Sequence, residues 1–399
     1  MTSEKINILF VDDEAMLLQG LRRMLRSMRN EWNMTFLTSG AEALAFLEDN
    51  AVDVIVSDMR MPEMTGSELL TKVRNLYPDI VRIMLSGYAG NEGILKSVGP
   101  SHQFLAKPCD ADVVIDTIRR SLELRANLAS AGLRKFITGI ENIPILPDVY
   151  REFMEEVAKP TASTETIAAV IQRDMGMSAT ILKLTNSAYF SLPTRITSIR
   201  QAVQFLGLET LHSLVAVAKL FEPVDCDPDK LPLLRRFGNE AMATASLARI
   251  IAVQEKFDAA EVEQAFCAGL LSHLGNILFL MDTNDHLEEY REAIFADPTT
   301  LLESERALFG TNHAEVGAYL LSLWGFSHGI VGAVLHHHEP AKMDEESFET
   351  TTIVHVAQAL LAGADNLLDK AHIGRLGKDH RIAVWRDVVA EIIKNGVSA

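Results

Sequence analysis

Residues 6–14 read INILFVDDE, a six-residue apolar run interrupted once by Asn7 and ending abruptly on acidic side chains. A run this short and rich in β-branched and aromatic side chains reads as a parallel strand buried on both faces. Similar runs follow at Val52–Ser57, Ile80–Leu85 and Gln103–Ala106, and Met34–Thr38 reads as a fifth. Glu14–Met28 and Ala41–Asp49 carry helical periodicity between them. Alternation of this kind predicts a doubly wound α/β unit, in which chemistry gathers beyond the carboxyl ends of the strands.

Those ends carry Asp12 and Asp13, Asp58, Ser86 and Lys107. Three crowded carboxylates repel one another unless a cation sits among them, and an all-oxygen site suits Mg²⁺. The expected ligands are Asp13, Asp58, the backbone carbonyl of Arg60, and Asp12 through water. With the ion bound, Asp58 becomes a nucleophile toward a phosphoryl group, and the Lys107 ammonium offsets charge on the transferring oxygens. Ser86 is placed to move its hydroxyl toward the acyl phosphate, and Phe104 to swing inward as it does.

The chain has 399 residues, 48% of them apolar and 23% charged, which suits two to three globular domains rather than a disordered or fibrous chain. Its three cysteines, Cys109, Cys226 and Cys267, form no CxxC pair and point to a reducing compartment. The net charge of −17 repels a phosphate backbone, and no basic patch offsets it, so direct nucleic-acid binding is not expected. Ala268–Met281, the longest apolar stretch, is broken by Ser272, His273 and Asn276, so no membrane span is expected.

After about residue 110 the strand pattern stops. Asp112 to Phe136 reads as one long helix, either a domain-closing helix running into a linker or a dimerising lever. From Ile140 onward the signals are helical, punctuated by Pro144, Pro147, Pro160, Pro193, Gly207 and Pro223, which predicts a large all-α domain. The expected division is a first domain at 1–122, a helical linker at 123–139 and the all-α domain at 140–399.

FVDDE at 10–14, SDMRMPEMTG at 57–66, LSGY at 85–88 and FLAKP at 104–108 resemble the receiver domain of two-component response regulators. The resemblance implies a flavodoxin-like five-stranded parallel sheet of order 2-1-3-4-5, and a histidine kinase that donates a phosphoryl group to Asp58.

Most of the twelve histidines fall after residue 270, including the run His336–His338. Segment 269–278, GLLSHLGNIL, resembles the G-L-L-H-D-I-G-K pattern of HD-superfamily phosphodiesterases, but Ser272 and His273 stand at its ligating His-Asp pair and Asn276 at its Lys. Residues 312–340 resemble the stretch carrying further ligands and keep His313, His337 and His338. The Gly-Tyr-Pro signature is replaced by AKMDEESFE, and VHVAQAL at 354–360 has Gln358 where an acid belongs. A surviving fold with lost acids resembles the HDOD domain, the non-catalytic relative of those enzymes. LPDVYREFMEEV at 146–157, IQRDMGMSATILKLTNSAYFSLP at 171–193 and SIRQAVQFLGLETLHSLV at 198–215 extend that resemblance.

The expected protein is a cytoplasmic response regulator whose all-α, HD-like output binds other proteins without turnover. Its partners would be a histidine kinase, a downstream signalling protein such as a cyclic di-GMP enzyme, and a second copy through the linker helix. No metal is expected among the late histidines, which water and neighbours would satisfy. Two alternatives stay open: an unorthodox metal-dependent phosphodiesterase acting on cyclic dinucleotides, and a sensor that binds them.

Overall fold

The computed structural model of the chain describes residues 5–87, 100–128, 130–140, 142–186, 195–218, 221, 228–282, 286–343 and 346–394; of Ser86, 126–127, 212–218 and 392–394 it describes the backbone alone. Tyr88, Cys226 and residues 187–193 of the quoted motifs therefore lie outside the described residues.

The first domain is a five-stranded sheet in the order β2-β1-β3-β4-β5, with β1 at Ile6–Val11, β2 at Trp32–Leu37, β3 at Val54–Asp58, β4 at Val81–Ser86 and β5 at Gln103–Ala106. Every pairing is parallel, as the apolar runs predict. Helices α1 (Ala15–Met24), α2 (Gly40–Asp49), α3 (Gly66–Leu76) and α4 (Ala111–Glu123) cover both faces. Successive strand side chains point to opposite faces, so Ile8, Phe10, Val54 and Val56 pack with Leu18, Leu21, Val114 and Ile118. Leu9, Val11, Ile55 and Met84 pack on the other face with Ala43, Leu47, Leu69 and Leu70. The start of α3 is held by a capping box between Thr65 and Glu68.

The long helix expected over 112–136 is broken. α4 ends at Glu123, a 3-10 turn spans Leu124–Asn127, Leu128 is extended, and α5 (Ala131–Gly139) restarts on the Ser130 side-chain cap. The break follows from packing. Leu128, Leu133 and Ile137 are buried in a core that runs from the sheet into the helical domain, a geometry one straight helix does not reach. Leu133 and Ile137 of α5 are therefore covered by the protein's own chain.

The helical domain comprises α6 (Pro147–Val157), α7 (Thr164–Ile171), α8 (Met175–Thr185), α9 (Ile199–Ala218), α10 (Leu231–Gln254), α11 (Ala259–Leu271), α12 (Leu274–Asp282), α13 (Leu287–Phe295), α14 (Leu301–Phe309), α15 (His313–Leu323), α16 (His328–His336), α17 (Thr350–Leu361), α18 (Lys370–Arg375) and α19 (Ile382–Lys394). Residues 259–282 match a membrane span by length and mean hydropathy of 1.4, yet 83% of that window is buried inside the protein. They form the central α11–α12 pair, apolar all round because helices surround them.

The two domains share a polar seam. The Thr138 carbonyl accepts from Arg82 Nη2 at 2.7 Å and from the His102 Nε2 at 2.8 Å. Gln103 Nε2 donates to Ser121 Oγ at 2.8 Å and to the Ser322 carbonyl at 3.2 Å. Lys183 lies 4.2 Å over the Trp324 ring. Burial, reinforced by Arg82, pushes the Lys183 ammonium down to about 7. Burial also brings Arg82 down to about 9.

Candidate functional site

Two sites stand out, one in each domain. At the strand ends of the first domain, Asp12 and Asp58 are buried and Asp13 is exposed at the rim. Lys107 joins the buried pair, donating to Asp12 Oδ2 at 2.6 Å and to Asp58 Oδ1. Asp58 Oδ2 accepts from the Arg60 backbone N–H at 2.6 Å, and Asp12 Oδ1 from the Glu14 N–H at 3.0 Å. Burial works against the Lys107 ammonium, but its bonds to Asp12 and Asp58 outweigh it and its pKa is raised. Two buried carboxylates against one ammonium leave this pocket negative before Asp13 is counted.

The chain returns tightly behind this pocket. Gly66 lies so close that a β-carbon on it would stand 1.9 Å from the Asp58 carbonyl oxygen, which only glycine permits. Phe104 already lies inward, 9% exposed, against the Met84 face of the sheet. The structure thus brings Asp12, Asp58, Arg60 and Lys107 together; the Ser86 side chain is outside the described residues, while its backbone pairs with Ala106.

The second site is a cavity of about 370 Å³ in the helical domain, lined by Arg236, Glu240, His273, His313, His337 and Gln358, among others. α15 enters it at His313. This entry is close against α12: a β-carbon on Gly275 would meet the His313 carbonyl oxygen at 1.9 Å. His313 Nδ1 lies 2.7 Å from Glu305 Oε2, and its backbone N–H donates to the same oxygen at 2.9 Å. Asn276 Nδ2 donates to Glu305 Oε1 at 3.2 Å and to the Tyr290 hydroxyl at 3.0 Å. His313 Nε2 faces His338 Nε2 at 2.9 Å.

Ser272, His273 and Gln358 close among themselves. Gln358 Nε2 donates to Ser272 Oγ at 3.1 Å and to His273 Nε2 at 3.0 Å, and Ser272 Oγ donates to the Gly269 carbonyl at 2.8 Å. His273 sits in the turn between α11 and α12, and burial pushes it down to about 4. Burial likewise holds His337 and His338 well below the ordinary imidazole range, so both rings are neutral at pH 7.

Glu305 was not singled out by the sequence reading, although a signal exists. In LLESERALF it stands four residues after Leu301 and three before Leu308, on the apolar face, where a carboxylate needs buried partners. His355 is the other omission: its Nδ1 donates to the His337 carbonyl at 2.7 Å and its Nε2 accepts from the Asp369 N–H at 2.9 Å.

Residues 8–119 match the response regulator receiver domain, and residues 143–340 match the HDOD domain. The hydrogenase transcriptional regulatory protein HoxA of Cupriavidus necator is 39% identical over 125 residues, 31% of this chain and 25% of that protein. An uncharacterized protein of Treponema pallidum is 28% identical over 213 residues, 52% of this chain and 40% of its own. The chain thus spans well under half the length of these curated relatives. Among solved structures, the MmoQ response regulator of Methylococcus capsulatus is 21% identical, with 61% of this chain and 98% of that one covered at a TM-score of 0.45.

Proposed function

The chain belongs to the response regulators that join a receiver domain to an HDOD domain, and from that premise we propose that phosphorylation of Asp58 controls what its HDOD domain binds. A histidine kinase is the donor in this reading. An Asp58 carboxylate oxygen attacks the phosphorus of a phosphohistidine, the P–N bond breaks as the P–O bond forms, and the imidazole takes up a proton. Lys107 holds Asp58 in place and balances charge on the phosphoryl oxygens, while the Arg60 N–H orients the second carboxylate oxygen.

The residues present fit the Mg²⁺ that the receiver family implies. Their donors are oxygens, and the Asp12–Asp58 pair keeps a net negative charge after Lys107 is counted. Asp12, Asp13, Asp58 and the Arg60 carbonyl would hold the ion, which when bound supplies charge compensation to the transferring phosphoryl group.

One observation carries the reading of the output. α15 is held by the receiver at one end, where the Ser322 hydroxyl donates to the Arg120 carbonyl at 2.8 Å, and lines the HDOD cavity at the other, through His313. A packed helix moves as a unit, so a change at the seam reaches the cavity wall. Gln103, bonded to Ser322, is the chain neighbour of Phe104 and lies four residues before Lys107.

The output acts by binding, in our reading, because Ser272 and Gln358 satisfy each other where hydrolysis of a cyclic dinucleotide needs bridging carboxylates. The partner is a signalling protein, such as a cyclic di-GMP enzyme, met in the cytoplasm. Affinity capture with and without beryllofluoride, beside Asp58→Ala, tests this. The retained proteins differ between loaded and unloaded wild type and do not differ for Asp58→Ala; identical sets throughout would refute phospho-control.

A further inference from the structure

Among the described residues, His313, His337 and His338 form a group of ligating side chains whose nitrogens all lie within 4.8 Å of one another. Two of these rings have their proton position set by an oxygen on the far side. His313 Nδ1 donates to the Glu305 carboxylate, and His337 Nδ1 donates to the Val334 carbonyl at 2.7 Å, which leaves the Nε2 of each ring as the nitrogen turned away from those oxygens. The His337 lone pair is buried with no hydrogen-bond partner among the described residues, an arrangement that costs free energy without a Lewis acid to receive it. The third nitrogen, His338 Nε2, completes the group 2.9 Å from His313 Nε2.

We propose that His313, His337 and His338 hold one divalent transition-metal ion through their Nε2 atoms, with Glu305 as the carboxylate that orients His313 and with the fourth ligand position open to the 370 Å³ cavity. Imidazole nitrogen favours zinc-like ions over magnesium. Tetrahedral Zn²⁺ with Zn–N of about 2.0–2.1 Å places its ligand nitrogens roughly 3.4 Å apart. His313 Nε2 and His338 Nε2 are 2.9 Å apart and all three ligand atoms fall within 4.8 Å, so side-chain adjustments close the site. A carboxylate that accepts the remote N–H of a ligating histidine raises its basicity and fixes its ring, as Glu305 does here.

The site takes a single ion. A second would need bridging carboxylates near His273, where Ser272 and Gln358 are neutral and bonded to each other and Glu240, on the cavity wall, stands outside the His313–His337–His338 group. The ion would join the start of α15 to the turn after α16, without supplying a bridged pair of metals for hydrolysis.

The test uses the full chain, stripped with a chelator and titrated with Zn²⁺ alone against a chromophoric competitor, with bound metal counted by mass spectrometry. One Zn²⁺ per chain is expected, unchanged in Asp58→Asn and in exposed-residue control His380→Gln. Co²⁺ in the same protein gives the intense visible bands of tetrahedral coordination. Glu305→Gln weakens Zn²⁺ binding about 10–100-fold, as loss of such a carboxylate partner does. His338→Gln abolishes stoichiometric uptake. Wild-type protein that takes up no stoichiometric Zn²⁺, an octahedral Co²⁺ spectrum, or uptake that Glu305→Gln leaves unchanged overturns the proposal. If His338→Gln does not fold, the wild-type Co²⁺ spectrum and the Glu305→Gln titration decide it.

Discussion

The Ser322 hydroxyl donates to the carbonyl of Arg120, two residues 202 positions apart in the chain, at 2.8 Å. Arg120 is in α4 of the receiver and Ser322 in the last turn of α15, so the hydrogen bond ties the receiver directly to a helix of the HDOD cavity.

Cutting this tie should separate the two halves without unfolding either. In the pair Gln103→Leu and Ser322→Ala, beryllofluoride still loads Asp58 but no longer changes amide exchange across residues 313–323. The wild type shows a change there of about 5–150-fold, the usual range of site-to-site coupling. Equal responses in wild type and double variant would place the coupling elsewhere.

Asp58 and Lys107 predict distinct defects. With a small phosphodonor and Mg²⁺, Asp58→Asn takes up no label, and Lys107→Met takes it up at least about tenfold more slowly because one charge partner is gone. Removing divalent ions with EDTA stops labelling of the wild type. Quantitative autoradiography over time reads all three.

Lys183 predicts an alkaline rise in stability. Its folded value of about 7 lies below the ordinary 10.5, so between these limits the unfolded chain holds a proton that the folded chain has released. Stability from this residue therefore increases as pH rises through that window and is lost as pH falls toward 7, by at most about 1.4 kcal/mol per pH unit. Urea midpoints from pH 7 to 9 should show this slope in the wild type and a shallower one in Lys183→Met, where the buried stem stays on Trp324 and the charge is gone.

Glu305 is fully buried and serves His313, Asn276 and Tyr290 at once. Glu305→Ala leaves those donors unpaired and should cost about 3–5 kcal/mol by urea unfolding of metal-free protein, the range for breaking a buried ionic network. Glu305→Gln keeps an acceptor oxygen and should cost less than half as much. Equal losses would show that packing, not polarity, holds α14 against α15.

How far the sequence reaches depends on the range of the interaction. The five strands were legible because a doubly covered strand must be apolar at each position, a local property that INILFV and VIVSD display. Asp12, Asp58 and Lys107 were legible because each ends such a strand, and parallel strands bring like ends to one edge. The break at Leu128 was not legible: residues 112–136 have helical periodicity throughout, and the cause of the break is a core contributed by residues far along the chain.

The chain's local patterning by itself determined the α/β receiver, its acidic edge and the large helical domain that follows. The tertiary structure alone decided that Glu305 stands behind His313, that the His337 lone pair faces inward unpaired, and that α15 links the receiver to the cavity. These are contacts between residues 8 to 202 positions apart. Burial and direction arise only when separate helices are packed, and no window of sequence contains them.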